Sequence, residues 1–462
     1  MIRIFKHYVP KSVFVLGFVE VAILWAAIAA GLTIRYAQLG DTDVSLARYQ
    51  VEFATFVCVV YVSMLAVGMY QLETCRDFRL SLVRLGAALL LSLVIGSVVL
   101  YLFPDVDIWR SVFLFALGLA AVGIVISRFV FVHVADMNLF RRRVLVLGAR
   151  RAAKRIQDLE QGPGRDAFTC VGFLRMTDHP PDVEGAIPFA EALPLADYAR
   201  RLEASEIVVA IEERRGTLPT EELLACKMQG LKVTDGTTFI ERETGTVDLD
   251  SLNPSWLIFS DGFGGVGRAD LVIKRLFDIS ASLILLFLSL PILVTTAIAV
   301  KLTSPGPIFY RQERVGQFGK TYNVMKFRSM RNDAEKEGPV WARQNDTRVT
   351  PVGRFIRSTR IDEIPQIFNV LKGDMSFVGP RPERPVFVEE LAKQIPYYSE
   401  RHQVKPGITG WAQINYPYGA SIEDAKQKLQ YDLYYIKNYS IFLDFLILVQ
   451  TLRVVLWPEG VR

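Results

Sequence analysis

The sequence has 462 residues and a formal net charge of +5, with 51% hydrophobic and 22% charged residues. So large an apolar fraction excludes a disordered or fibrous chain, and the four scattered cysteines exclude a disulfide-stapled secreted module. A charge this mild on a chain this long argues against nucleic acid as a partner. The four cysteines and four histidines lack zinc-ligand spacing, so we expect no zinc site.

Four apolar segments lie within the first 135 residues and are separated by short polar loops. They cover residues 13–34, 53–70, 82–103 and 111–132. Each is close to the ~20 residues that cross a bilayer, so residues 1–135 are predicted to form a four-helix transmembrane domain rather than buried helices of a soluble core. Glu20 lies inside the first segment, where a carboxylate is usually functional or paired, but the sequence indicates no partner for it.

Loop charges predict the orientation of these helices. Arg3, Lys6 and Lys11 precede the first segment, and five arginines between residues 141 and 151 follow the fourth. The positive-inside rule therefore places both ends of the bundle in the cytoplasm.

Residues 141–265 alternate between short apolar runs and helical stretches, which indicates a Rossmann-like parallel α/β domain. Its strands are predicted at residues 144–147, 170–174, 207–211 and 231–234. A dinucleotide site needs glycines that let the backbone approach a pyrophosphate. Gly148 keeps the first glycine, but Arg150 occupies the second position, and Arg175 rather than an acid follows the next strand. We therefore predict a degenerate nucleotide site and a structural or regulatory role.

The third section, residues 268–462, begins with another apolar region. Residues 279–300 carry no charge and are long enough to span a membrane, but Pro291 lies near their middle, where it removes a backbone donor and kinks a helix. Both flanks are basic, whereas a spanning helix carries its basic excess on one side. We therefore expect a re-entrant helix hairpin over residues 274–301, bent at Pro291. Residues 441–456 fit either an interfacial helix or a core helix.

Basic residues are concentrated between residues 305 and 405, where 18 lysines and arginines accompany 12 acidic residues. Guanidinium groups bind phosphate through two parallel hydrogen bonds, although a solvated basic face or attraction to anionic lipid would give the same composition. Asp362 and Glu363 open a predicted helix that ends before Gly373. They fit either helix capping or a nucleophile that attacks phosphorus beside a ligand that helps to hold Mg²⁺.

Six short motifs follow one another along the third section. They are residues 274–278 (KRLFD), 304–309 (SPGPIF), 326–330 (KFRSM), 369–376 (NVLKGDMS), 379–382 (GPRP) and 405–413 (KPGITGWAQ). Together they resemble the bacterial sugar transferases, the monotopic phosphoglycosyl transferases that start lipid-linked polysaccharide assembly. The resemblance covers residues 268–462. The upstream helices and Rossmann-like domain are similar to the long form, the polyprenyl-phosphate hexose-1-phosphate transferases of exopolysaccharide synthesis.

The resemblance implies the fold and the reaction. The fold would join a four-helix transmembrane bundle, a Rossmann-like α/β domain and a membrane-associated catalytic domain with a re-entrant helix hairpin. A UDP-hexose (glucose favoured, galactose second) and polyprenyl (undecaprenyl) phosphate would give polyprenyl-diphosphate-hexose and UMP, with Mg²⁺ as cofactor. The protein would be a multi-pass protein of the bacterial inner membrane, with its catalytic domain on the cytoplasmic face.

Matching positions imply the site residues. Asp362 would attack the sugar-bearing phosphorus and hold a phosphosugar covalently until the lipid phosphate displaces it, and Glu363 would coordinate Mg²⁺. Pro291 matches the helix-breaking proline of the family. The remaining candidates for contact with substrate or its phosphates are Lys326, Arg328, Arg357, Arg381 and Asp432.

Two other functions compete with this one. An NAD-dependent sugar-nucleotide dehydratase or epimerase would also join membrane spans to a Rossmann domain, but its chemistry needs a Tyr-x-x-x-Lys pair. That spacing occurs from Tyr322 to Lys326, outside the α/β section and on a predicted strand. A non-enzymatic scaffold for polysaccharide assembly would need no nucleophile. The sequence also leaves open whether the chain forms a homo-oligomer and whether it binds polysaccharide assembly proteins.

Overall fold

A computed structural model of the chain describes residues 2–4, 6–40, 45–106, 108–136, 141–162, 168–177, 179–212, 217–250, 252, 260, 262–263, 267–331, 348–417, 419 and 421–456. The chain divides into two units, one of residues 1–4 and 8–244 and one of residues 5–7 and 245–462. The three predicted domains are a finer division than these two units, and their boundaries stay predictions.

The first unit contains the long apolar helices of the N-terminal part. Its first elements are β1 (Ile2–Ile4), β2 (His7–Val9), α1 (Lys11–Gln38), α2 (Gln50–Ala66), α3 (Leu72–Arg76), α4 (Phe78–Leu102) and α5 (Arg110–Asp136). Within the described residues, α1, the helical segment Leu46–Ala66, α4 and most of α5 are each long and apolar enough to cross a membrane. The four predicted apolar helices are therefore confirmed, while their arrangement as a transmembrane bundle stays a prediction.

The structure provides the partner that Glu20 lacks in the sequence. Arg128 on α5 donates from Nε to Glu20 Oε1 at 2.6 Å and from NH2 to Oε2 at 3.0 Å. Both side chains are fully buried, and Arg128 NH1 also donates to the carbonyl of Met69 at 2.9 Å. The carboxylate of Glu20 is therefore neutralised by a two-pronged ion pair that joins α1 and α5.

The Rossmann-like prediction is confirmed as a parallel sheet. The elements are β3 (Arg142–Leu147), α6 (Arg151–Gln161), β4 (Phe168–Arg175), β5 (Ile187–Pro188), α7 (Leu195–Arg201), β6 (Glu206–Val209), α8 (Thr220–Met228), β7 (Lys232–Asp235) and α9 (Gly236–Thr244). The strand order is β5-β4-β3-β6-β7, and all neighbours are parallel. From β3 the sheet extends first to one side, through β4 and β5, and then to the other side, through β6 and β7. Doubly wound folds bind nucleotides at this point of reversal, between β3 and β6.

Gly148 follows β3 at this reversal point for a packing reason. Its φ is +129°, and a Cβ on it would lie 2.3 Å from the carbonyl oxygen of Ala210, just after β6. The amide of Ala210 in turn donates to the carbonyl of Leu147 at 2.7 Å. The glycine is thus explained by the close approach of two backbone segments, without any ligand.

The second unit carries a long apolar helix and the smaller elements that follow it. They are α10 (Arg268–Thr303), β8 (Phe309–Val315), β9 (Thr321–Phe327), α11 (Pro351–Ser358), α12 (Ile367–Lys372), β10 (Ser376–Val378), α13 (Pro385–Gln394), β11 (Gly407–Thr409), α14 (Trp411–Asn415), α15 (Ile422–Lys437) and α16 (Ile441–Leu456). Strands β8 and β9 are antiparallel, and β10 and β11 are parallel. Tyr322 and Lys326 lie on β9 as predicted. The core is built around α15, where Leu433 and Tyr434 pack with Val370 and other buried residues.

Helix α10 is continuous from Arg268 to Thr303 and contains Pro291. One face of it is buried along the helix, through Lys274, Asp278, Ser282, Ser289, Leu293, Thr296 and Val300. Those steps of three, four and seven residues are the spacing of a single helix face. This continuous helix does not confirm the re-entrant hairpin, which stays a prediction.

Helix α16 fits the core-helix alternative on one of its faces. Leu443 and Ile447 are fully buried in the core. Asp444 is also fully buried, and it accepts hydrogen bonds from Lys274 Nζ at 2.6 Å and from the Tyr435 hydroxyl at 2.7 Å. A buried carboxylate needs such partners, so this helix packs into the unit rather than resting on its surface.

Candidate active site

The two candidate carboxylates lie in a 3₁₀ turn, Ile361–Gln366, which leads directly into α12. Arg360 precedes the turn in the left-handed region with a φ of 59°. Gly373 ends α12 with a φ of 97°, and its amide donates to the carbonyl of Asn369 at 3.0 Å. The expected helix start and glycine stop are confirmed, although the first turn is 3₁₀ rather than α.

Asn369 fixes this helix against strand β9. Its Oδ1 accepts the amide of Met325 at 2.9 Å, and its Nδ2 donates to the carbonyl of Asn323 at 2.8 Å. Lys326 follows Met325 directly on the strand. The side chain of Asn369 therefore fixes the register between the strand that carries Lys326 and the turn that carries the carboxylates.

Glu363 lies between two cations. Lys326 Nζ is 2.6 Å from Glu363 Oε1, and Arg381 NH2 is 3.1 Å from the same oxygen. Burial alone would raise the pKa of Glu363, but these two charges together with Arg360 hold that pKa well below its usual range. Burial lowers the pKa of Lys326, although Glu363 acts in the opposite direction. Glu363 is therefore an anion at neutral pH, and its position is fixed by Lys326 and Arg381.

Asp362 has a different environment from Glu363. The residue is only 8% exposed, and its side chain has no hydrogen bond or ion pair among the described residues. Burial and the charge of Glu363 raise the pKa of Asp362 to about 6, against the opposing charges of Lys326 and Arg357. At neutral pH the carboxylate is mostly ionised yet poorly solvated, which is the state that favours attack on an electrophile.

The structure places the predicted arginines in three different roles. Arg381 contacts Glu363 directly. Arg357 ends α11 near Asp362, and its guanidinium has no ion pair or hydrogen bond among the described residues, so this group is available to a phosphate. Arg328 is buried and donates to the carbonyls of Pro305 at 2.9 Å and Ser304 at 2.6 Å. Its contacts brace the segment after α10, and a phosphate contact by Arg328 stays a prediction.

Asp432 is connected to the site through Arg401 rather than by a direct contact. Arg401 donates to Asp432 Oδ2 from Nε at 3.1 Å and from NH2 at 2.7 Å, and both residues are buried. Arg401 NH2 also donates to the carbonyl of Arg381 at 3.0 Å. Asp432 thus supports the backbone that presents Arg381, and direct contact with substrate stays a prediction. Sequence reasoning missed Arg401; the signal was that a buried acid on α15 requires a cation.

The donor atoms present fit Mg²⁺ in the way that phosphate-transferring sites hold it. Within the described chain, no group of three or more His, Cys, Asp or Glu side chains is arranged to enclose a metal. Mg²⁺ is usually bound by one or two carboxylates together with water and substrate phosphates. Asp362 and Glu363 supply two adjacent carboxylates, and Glu363 Oε2 has no hydrogen-bond partner among the described residues.

Comparison with known proteins places this site within a recognised sequence family. The family described as bacterial sugar transferase matches residues 269–458, which contain every site residue discussed above. A UDP-N-acetylgalactosamine-undecaprenyl-phosphate N-acetylgalactosaminephosphotransferase of Aeromonas hydrophila is 43% identical over 242 residues, which are 52% of this chain and 56% of that protein.

Two further relatives carry names that specify glucose. A UDP-glucose:undecaprenyl-phosphate glucose-1-phosphate transferase of Klebsiella pneumoniae is 44% identical over 223 residues, 48% of this chain and 47% of that protein. A protein of the same name from Caulobacter vibrioides is 40% identical over 191 residues, 40% of this chain and 71% of that protein. The chain thus spans about half the length of the Aeromonas and Klebsiella relatives.

Proposed function

The chain belongs to the bacterial sugar transferase family, and from this premise we propose that it transfers hexose 1-phosphate from a UDP-hexose to polyprenyl phosphate, releasing UMP. The observation that carries the proposal is the pair of adjacent carboxylates with opposite environments. Asp362 is buried without a hydrogen bond or ion pair in the described chain, whereas Glu363 is fixed between Lys326 and Arg381. Capping of a helix would not require this difference.

The reaction proceeds in two displacements at one phosphorus. A carboxylate oxygen of Asp362 forms a bond to the sugar-bearing phosphorus, and the bond from that phosphorus to the oxygen of the leaving UMP breaks. The hexose phosphate is then held as an acyl phosphate on Asp362. A phosphate oxygen of the polyprenyl phosphate attacks the same phosphorus and displaces Asp362, which returns as a free carboxylate.

The neighbouring charges support both displacements. When bound, Mg²⁺ would supply a positive charge that neutralises the diphosphate, and Glu363 would hold it. Lys326 and Arg381 fix Glu363, and Arg357 is available to orient a phosphate oxygen. Cations aimed at the phosphoryl oxygens stabilise the charge that develops on them in the transition state.

The sugar is proposed to be glucose. The Klebsiella and Caulobacter relatives carry glucose in their names. N-acetylgalactosamine is the second candidate because the Aeromonas relative carries that sugar in its name, and galactose is the third.

We further propose that α10 forms a re-entrant hairpin and that four other helices span the inner membrane, with the catalytic unit on the cytoplasmic face. Near the start of α10, Lys274 and Asp278 bond to strand β10 of the second unit. Just past its end, the carbonyls of Ser304 and Pro305 accept hydrogen bonds from Arg328 of the same unit. A helix that crossed the bilayer would instead carry its two ends to opposite faces, about 30 Å apart.

The topology is tested by cysteine labelling in a cysteine-free background. Cysteines replace the exposed Arg268, Thr303 and Asp105, and a membrane-impermeant maleimide is added outside spheroplasts. We expect labelling of the Asp105 position alone, because it lies in the loop that faces the periplasm. Labelling of the Arg268 or the Thr303 position would refute the hairpin.

The reaction is tested by UMP release from a panel of UDP-sugars with polyprenyl phosphate and Mg²⁺. Wild type is expected to release UMP, and Asp362→Ala to release none while it still inserts and folds. Asp250→Ala is the matched control, because this carboxylate is 62% exposed and lies in the same unit. Turnover by Asp362→Ala would refute the covalent mechanism. A non-enzymatic scaffold predicts no UMP release by wild type, and bound nicotinamide would favour the dehydratase alternative.

A further inference from the structure

Arg360 has a backbone conformation that glycine usually adopts. It is the second residue past the end of α11, and it precedes the turn that carries the two carboxylates. Its φ is 59° and its ψ is 13°, in the left-handed region. Helices often end in this conformation, and glycine is the usual residue there because a Cβ destabilises it. An arginine at this position therefore makes the fold less stable than a glycine would.

The side chain of Arg360 does not offset this loss through contacts of its own. The residue is exposed, and its guanidinium has no hydrogen bond or ion pair among the described residues. Glu363 already has two other cations, since its Oε1 lies 2.6 Å from Lys326 Nζ and 3.1 Å from Arg381 NH2. A residue that keeps a strained backbone without a structural partner indicates a functional role.

Arg360 lies beside the position where phosphorus would be attacked. Its carbonyl accepts the amide of Glu363 at 3.2 Å, which closes one turn of backbone between them. Its charge is close enough to act on both Asp362 and Glu363. Its amide donates to the carbonyl of Arg357 at 3.3 Å. Two arginines without a side-chain partner in the described chain thus precede the carboxylates, and a guanidinium suits phosphate oxygens.

We propose that Arg360 is a phosphate-binding residue of the transfer reaction, and that the chain retains arginine at a position favouring glycine for this contact. The proposal rests on the proposed function, because it adds a residue to the same site. The ligand is a phosphate oxygen, which both the UDP-hexose and the polyprenyl phosphate carry. The two substrates react in separate displacements, so the kcat/KM of each reports its own displacement.

Three replacements in the full-length protein separate the guanidinium from the backbone. Arg360→Gly removes the cation and relieves the backbone, Arg360→Ala removes the cation and keeps the positive φ, and Arg360→Lys keeps a charge without the planar fork. Lys393→Ala is the control for loss of one charge, because Lys393 ends α13 in the same unit, is exposed and has no ion pair in the described chain.

Each variant is assayed for the kcat/KM of UDP-glucose, for the kcat/KM of polyprenyl phosphate and for the midpoint of thermal unfolding. We expect Arg360→Gly and Arg360→Ala to lower one or both kcat/KM values equally, by about ten-fold or more, the range for a hydrogen bond to a charged group. Arg360→Lys should lower them less. Arg360→Gly should nonetheless unfold about 2–4 °C above Arg360→Ala, and Lys393→Ala should match wild type.

The two kinetic measurements identify the phosphate. A fall confined to UDP-glucose assigns the contact to the donor diphosphate, and a fall confined to polyprenyl phosphate assigns it to the lipid phosphate. A fall in both assigns a contact in both displacements.

Two results would overturn the proposal. In the first, Arg360→Gly keeps both kcat/KM values within about two-fold of wild type, as a contact with bulk lipid would predict. In the second, Arg360→Gly is more active than Arg360→Ala in proportion to its greater stability, since the residue would then act through the backbone alone.

Failure of the proposed function is a separate outcome. If wild type releases no UMP from any UDP-hexose, that function fails, and equilibrium binding of UDP-glucose and of polyprenyl phosphate then decides the role of Arg360. Weaker binding by Arg360→Gly than by wild type would support the phosphate contact, and equal binding would overturn it.

Discussion

Replacing Asp362 by asparagine should stabilise the protein while it abolishes turnover. The amide has nearly the shape of the carboxylate but no charge. In the folded protein Asp362 is 8% exposed and has no hydrogen bond or ion pair among the described residues. An ionised group in that position is less stable than the same group in water. Removing its charge therefore raises the free energy of unfolding.

The magnitude follows from the pKa of Asp362, which burial and Glu363 raise from 3.8 to about 6. A tenfold change in an ionisation constant corresponds to about 1.36 kcal/mol. The ionised carboxylate therefore lowers the free energy of unfolding by about 3 kcal/mol at pH 7. Below 3.8 the group is protonated in both the folded and the unfolded state, and the cost vanishes. Stability of the wild type is therefore lost as the pH rises from about 4 through 6.

The assay is thermal unfolding of the purified full-length protein in one detergent and at one scan rate, since large proteins often unfold irreversibly. Asp362→Asn is expected to raise the midpoint by about 6–12 °C at pH 7, given about 2–4 °C per kcal/mol. At pH 4 the difference should shrink to a small fraction of that value. Asp250→Asn is the control, because this side chain is 62% exposed.

A midpoint of Asp362→Asn equal to or below that of wild type at pH 7 would refute the reasoning. So would an increase that persists unchanged at pH 4, because the gain would then have no connection with the ionisation of Asp362.

Three more outcomes are expected. The kcat/KM of wild type should fall about ten-fold per pH unit below about 6, as Asp362 is protonated; a flat profile between pH 5 and 7 would contradict this role. Asp432→Ala should cost about 3–5 kcal/mol in denaturant unfolding by leaving the buried Arg401 unpaired, and adding Arg401→Ala should recover part of the loss. Glu20→Ala should lower the free energy of unfolding by a similar amount, because it leaves the buried Arg128 unpaired. If the double variant Glu20→Ala/Arg128→Ala is no more stable than Glu20→Ala alone, the pairing is contradicted.

Local patterns predicted the elements of this chain well. Apolar runs of about 20 residues marked the long helices, and alternating runs marked four strands of the parallel sheet, because these signals depend on neighbours along the sequence. Gly373 and the acidic pair likewise marked the two ends of a short helical segment. The two-residue strand β5 was not predicted, since so short an element has no period.

Long-range pairing could not be predicted in the same way. Glu20 and Arg128 are 108 positions apart, and Arg401 and Asp432 meet only through the fold. Composition also does not distinguish an arginine that faces a ligand from one that bonds to carbonyls, as Arg328 does. Gly148 matched a nucleotide fingerprint in the sequence, although its conformation is explained by a neighbouring backbone.

The most direct test of the central claim is the intact mass of the protein after incubation with UDP-glucose and Mg²⁺ in the absence of polyprenyl phosphate. We expect a mass increase of one hexose phosphate, mapped to Asp362, with one equivalent of UMP released and with loss of the adduct when polyprenyl phosphate is added. UMP release that requires the lipid from the start, or an adduct on any other residue, would contradict the covalent role of Asp362.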